Sequence, residues 1–132
     1  MRTETLLLAA AALLGICQLF IATAAATRAR GAAWNLSNRE GPAEPLTGCA
    51  FRLDQAFKNF LETFPFFAAG VLAALAENRV GGMVLWGAHL YFWARLAYLP
   101  VYAAGITGLR TLVWVISMAG IGLVWIGLVS GL

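Results

Sequence analysis

Residues 111–132 read TLVWVISMAGIGLVWIGLVSGL, without one charged side chain. About 20 apolar residues in a helix cross a ~30 Å hydrocarbon layer, so this stretch is expected to span a membrane. A membrane barrel would need short segments of strict polar–apolar alternation, and this run is continuous. Working backwards, residues 83–102 form a similar run interrupted by Arg95. Residues 53–76 carry Lys58, Asn59 and Glu62 in their first half and an almost wholly apolar second half. Pro65 falls inside that run, where a kink is expected. Residues 5–27 are uncharged and broken only by Gln18. Arg2 and the triplet Ala22-Thr23-Ala24 imitate a secretory leader and its cleavage site, but the run is long for one and reads better as a first span.

The expected fold is therefore all-α: one integral-membrane four-helix bundle over residues 1–132, with spans near 5–27, 53–76, 83–102 and 111–131 and a polar loop over 28–52. Composition agrees, because 61% of the 132 residues are hydrophobic and only 11% charged. Soluble domains carry about a quarter charged residues, which excludes a soluble enzyme with its own water-facing surface. The net charge of +3 comes from nine scattered basic residues, so a nucleic-acid partner is not expected. Cys17 lies in an apolar run and Cys49 in the polar loop, which supports neither a disulfide nor a metal site.

Basic residues set the expected orientation. Arg28, Arg30, Arg39 and Arg52 belong to the first loop, and Arg79 is alone in the second. By the positive-inside rule the first loop faces the cytoplasm and both termini face away, in the inner or plasma membrane of a bacterial host. Span two then starts, and span three ends, on the cytoplasmic side.

The polar residues of these spans fall into register. Arg52, Gln55, Asn59 and Glu62 are spaced i, i+3, i+7 and i+10, on one helical stripe. Arg95, Tyr98 and Tyr102, at i, i+3 and i+7, make a second stripe, and Arg110 opens span four. Each has a plainer reading. Lys58 and the terminal arginines can snorkel to headgroups, Asn59 and Glu62 can hold helices together, and the tyrosines can be interfacial aromatics. Three segments nevertheless deliver ionisable and hydroxyl groups to one depth, and intramembrane ionisable groups usually face a cavity or a partner. Guanidinium forks suit carboxylates, Glu62 suits an amine, and tyrosine hydroxyls suit an anionic atom. Glutathione, with two carboxylates, an ammonium and a thiol, is one ligand this inventory permits. His89 lies off the Arg95 stripe and reads as a packing residue.

At these residues the chain resembles the MAPEG superfamily, membrane-associated proteins in eicosanoid and glutathione metabolism, in its short bacterial form. The resemblance rests on the stretch from Arg52 through Asn59, Glu62 and Pro65, on Arg95-Leu-Ala-Tyr98-Leu-Pro-Val-Tyr102, and on Arg110-Thr111. It implies a homotrimer with sites near the cytoplasmic face, binding glutathione as co-substrate beside lipophilic substrates and membrane lipids. It further implies that Arg52, Gln55, Asn59, Glu62, Arg95, Tyr98 and Tyr102 hold the peptide and that Arg110 stabilises the thiolate in a transferase or peroxidase reaction. Gln55 stands where glutathione-using members often carry arginine, and Thr63 where some carry tyrosine. The spacing from Tyr102 to Arg110 is shifted by about a residue from that of some members. Those departures keep open an alternative, a non-catalytic protein whose stripes bind headgroups or hold helices.

Overall fold

The computed structural model describes all residues, Met1–Leu132. Four long helices and one short one follow in order: α1 (Thr3–Arg30), α2 (Ala32–Leu36), α3 (Gly48–Ala76), α4 (Gly82–Ala103) and α5 (Thr107–Ser130). Helix α1 carries Glu4 in its first turn and Arg28 and Arg30 in its last, each matched in sign to the helix dipole. The polar loop is shorter than its composition suggests. It contains α2, and α3 begins at Gly48 rather than at Leu53. Arg52 stabilises that added turn by donating from Nε to the Ala103 carbonyl, at 2.9 Å. Helix α3 runs through Pro65, and α4 through Pro100, as continuous helices.

Helices α1, α3 and α5 are long and apolar enough to cross a membrane. The sequence reading placed α4 beside them. It has 22 residues, about 33 Å at ~1.5 Å per residue, but is less apolar because it carries Arg95, His89 and three tyrosines. Much of that polarity is hidden, since Arg95, Tyr91 and Tyr98 all turn into the bundle. The outer faces are apolar instead: Phe20 is 67% exposed, Phe66 61% and Trp86 66%. Such an all-round apolar surface suits lipid.

Two reversals set the topology. At the end of α3, Arg79 N donates to the Ala74 carbonyl and Asn78 N to that of Leu75, with Asn78 at φ +55°. At the end of α4, Ile106 N donates to the Val101 carbonyl and Gly105 N to that of Tyr102, with Gly105 at φ +78°. Both are Schellman closures, which need a left-handed residue just past the helix and turn the chain back on itself. Both chain termini consequently meet at the α3–α4 turn. Glu4 accepts from Gly81 N at 2.6 Å, Arg2 donates to Asn78 Oδ1 at 2.7 Å, and Met83 N donates to the Leu132 carbonyl at 3.1 Å. The α1–α3 loop and the α4–α5 turn occupy the opposite end.

Packing is closest between α4 and α5. Small residues allow it: a Cβ on Gly87 would lie 2.5 Å from the Gly120 carbonyl oxygen, and one on Gly120 would lie 2.7 Å from that of Gly87. Gly127 packs on Val84, and Gly131, one turn later, ends α5 at φ +74°. Trp125 donates from Nε1 to the Phe66 carbonyl at 3.1 Å and ties α5 to α3. The core has two apolar clusters. One, around Phe67, Val71, Val84, Ala88 and Val124, lies toward the termini; the other, Ala56, Ala94, Tyr98 and Val113, lies toward the opposite end.

Between helices α3 and α4, the buried Thr63 and Tyr91 hydroxyls share a hydrogen bond of 3.0 Å, and Thr63 also donates to the Phe60 carbonyl. The Tyr91 ring stacks on Phe67 with centroids 4.1 Å apart. Tyr91→Phe keeps the stacking and loses one hydroxyl, so it is expected to cost about 1 kcal/mol, measurable by reversible unfolding in detergent.

Candidate functional site

At the end away from the termini, α3, α4 and α5 line an open cavity of about 330 Å³. Gln55, Lys58, Asn59 and Glu62 line it from α3, Tyr98 and Tyr102 from α4, and Arg110, Thr111 and Trp114 from α5. The helical period accounts for each set. The α3 residues recur at three- and four-residue steps, and Tyr98 and Tyr102 are one turn apart. Arg110 lies in the first turn of α5, one turn before Trp114. The volume is at the lower end of the range for small-molecule sites.

The charged groups are arranged with a positive excess. Arg110 places its guanidinium over the Tyr102 ring, 4.7 Å from the centroid. Tyr102 in turn meets Tyr98 edge-on at 5.5 Å. Lys58 forms an ion pair with Asp54 at 3.0 Å, one turn back along α3, and keeps most of its side chain exposed. Glu62 is the one carboxylate in the lining.

Six of the eight residues expected at the site line this cavity, and two do not. Arg95 is buried behind the wall, 1% exposed. It donates from Nη1 to Asn59 Oδ1 at 2.7 Å, and its guanidinium covers the Tyr98 ring at 4.1 Å. Because a guanidinium only donates, it fixes the Asn59 carbonyl end and leaves the Asn59 Nδ2 donor for the cavity. Arg52 is turned toward the end of α4 and lines a smaller cleft of about 220 Å³ that shares Tyr102 and Arg110 with the main cavity. Arg110 is therefore the one guanidinium in the lining of the main cavity.

Lys58, Thr111 and Trp114 were not expected in the lining. Trp114 was legible as the residue one turn after Arg110, whereas Lys58 reads as a snorkelling residue because of its long flexible stem near a helix end. His89 stays clear of the site. Its Nδ1 accepts from Trp93 Nε1 at 3.2 Å, and it borders an apolar groove of about 680 Å³ on the outer face of α4 and α5.

Comparison with curated proteins gives no match. A sequence model of the MAPEG family matches residues 7–130, nearly the whole chain, including α1 from its second turn, the other long helices and every residue of the cavity. With three helices long and apolar enough to cross a membrane and a polar cleft between α3, α4 and α5, the chain is a membrane protein that belongs to the MAPEG family.

Proposed function

We propose that the cavity binds glutathione and that the protein uses it, as transferase or peroxidase, on lipophilic electrophiles drawn from the bilayer. The observation that carries this reading is the convergence of Asn59 and Glu62, Tyr98 and Tyr102, and Arg110 on one open cavity. The donor set fits the ligand. Lys58, Arg110 and the Asn59 Nδ2 group suit carboxylates, and Glu62 suits the ammonium. The lining, with two cations and one carboxylate, complements a tripeptide that carries a net negative charge. When bound, glutathione supplies the thiol that becomes the nucleophile.

The chain's own residues bind, orient and set charge. Asn59, held by Arg95, presents a fixed amide donor. Tyr98 and Tyr102 present hydroxyls whose rings are braced by the two guanidinium groups. Arg110 lowers the free energy of an anion beside it, which favours thiolate over thiol. Fixed donors in a site partly shielded from water need little reorganisation as negative charge develops, which is why such an arrangement suits catalysis. Val113 faces the apolar groove and the adjacent Trp114 the polar cavity, so the seam of α4 and α5 separates a lipid-facing surface from the polar site.

In this reading α4 crosses the membrane with the other three, because its polar groups turn inward. The cavity end, which holds Arg28, Arg30, Arg39, Arg52 and Arg110, is cytoplasmic. The assembly is a homotrimer. A second reading, binding without turnover, draws on Gln55 in the cavity wall and on Arg52 turned to the Ala103 carbonyl. These leave Arg110 as the only lining guanidinium.

Thermal unfolding of the purified protein tests binding. At a hundred times its dissociation constant, glutathione is expected to stabilise the fold by about 2.7 kcal/mol and to raise the melting temperature accordingly. Glu62→Gln should reduce that protection. An unchanged melting temperature at saturating tripeptide would remove glutathione as the ligand.

A further inference from the structure

Four buried side-chain atoms lack any hydrogen-bond partner: Nε2 and Oε1 of Gln18, and Nε and Nη2 of Arg95. Their side chains come from different helices, yet they share a level. Glu4 of α1 meets Gly81 at the start of α4. The two helices run in the same direction, and Gln18 is as far beyond Glu4 as Arg95 is beyond Gly81. Equal rise per residue brings Gln18 and Arg95 to one depth. Phe60 of α3 provides a second, independent bearing. Its ring fills the space at Gly15, one turn before Gln18, with Cε1 only 2.6 Å from the position of a Cβ there. The same ring lies 5.7 Å from the Arg95 guanidinium. The turn of α1 that carries Gly15 and Gln18 and the Arg95 guanidinium of α4 therefore border one aromatic ring.

No protein carboxylate accompanies this guanidinium. The single ion pair of the chain is Lys58–Asp54, on the exposed face of α3. A buried cation with two unsatisfied nitrogens, beside a buried amide with both ends unsatisfied, is too costly to leave dry. We infer that Gln18 and Arg95 form a water-binding site in the core of the bundle. Water fits because it plays both parts. It accepts from Arg95 Nε and Nη2 and from Gln18 Nε2, and it donates to Gln18 Oε1, which an anion cannot do. Hydrated in this way, Arg95 keeps its charge without a neutralising carboxylate and keeps Nη1 on Asn59. The cavity wall thus contains a fixed positive charge that no side chain cancels. Only this last consequence rests on the cavity's being an anion site.

Water-edited solid-state NMR of the full-length, nitrogen-labelled protein in lipid bilayers tests the site with no ligand present. Rapid magnetisation transfer from water is expected at Arg95 Nε and Gln18 Nε2, severalfold above that at the buried Ala88 and Val124 amides. Transfer at background level on both groups overturns the inference. So does an Arg95 Nε resonance that moves only when chloride replaces sulfate, the sign of an adventitious ion. Gln18→Leu should bring the Arg95 Nε transfer down to background, and unchanged transfer would show that Gln18 is not part of the site. If that variant does not fold, Gln18→Glu takes its place. Its carboxylate reaches the guanidinium directly, so it should shift the Arg95 Nε resonance and displace the water; an unmoved resonance would show that the two residues are not neighbours. Failure to bind glutathione would leave this water signal untouched, so the two proposals fail separately.

Discussion

Arg110→Ala is expected to remove the thiolate absorbance of bound glutathione and to lower kcat by about 10²–10³-fold, the usual loss when one donor to a developing anion is deleted. The geometry makes the expectation specific. Arg110 is the one guanidinium lining the main cavity, braced over Tyr102 at 4.7 Å. Arg110→Lys keeps the charge but loses the fork, so part of the thiolate signal should survive. Arg52→Ala is the informative control. Its guanidinium is engaged by the Ala103 carbonyl, so its loss should weaken the α3–α4 end while leaving the thiolate signal in place. Should Arg110→Ala keep full absorbance while Arg52→Ala loses it, the thiolate would belong to the smaller cleft. A thiolate signal absent from the wild type would favour binding without turnover.

The largest effect on stability is expected at Gly120. A methyl group there meets backbone on α4: the Gly87 carbonyl oxygen and the Tyr91 nitrogen, each 2.7 Å away. Backbone cannot rotate aside as a side chain can, so Gly120→Ala must push α4 and α5 apart. Overpacking of this kind costs about 1–3 kcal/mol and occasionally more. Gly120→Ala should therefore lower unfolding stability by about 3 kcal/mol, and Gly87→Ala by a similar amount. Because the two clash with the same contact, the double variant should cost less than the sum of the singles. Gly122, whose added Cβ would meet nothing, is the control. Its alanine variant should be neutral or slightly stabilising, through helix propensity. Equal losses at positions 120 and 122 would contradict close α4–α5 packing.

The helices were legible because lipid imposes a strong rule. A chain with long uncharged runs satisfies its backbone by forming helices, and residues 5–27 and 111–131 leave no other choice. The helices that hold those runs are Thr3–Arg30 and Thr107–Ser130, which reach up to four residues beyond them at the loop ends. Span-level composition did less well at α4. Its mean apolarity is diluted by Arg95, His89 and the tyrosines, and only the helical wheel suggests that most of these turn inward. The start of α3 differs from its sequence reading for a related reason: Gly48 to Arg52 reads as loop, and Arg52 holds that turn by a contact with Ala103, far along the chain.

The site divides in the same way. Helical spacing alone put Asn59 and Glu62 on one stripe and Tyr98 and Tyr102 on another, since that period is a property of the chain. Which arginine faces the cavity was not a local property. Arg52, Arg95 and Arg110 look equivalent in sequence, yet one caps the end of α4, one is buried against Asn59, and one lines the volume. The sequence by itself determined four long apolar helices and the depth of their polar groups, because hydrophobic run length and a period of 3.6 residues act locally. Only the tertiary structure decided the closeness of α4 to α5, the burial of Gln18 and of Arg95, and the single guanidinium in the cavity. Those outcomes depend on which neighbouring helix each side chain meets.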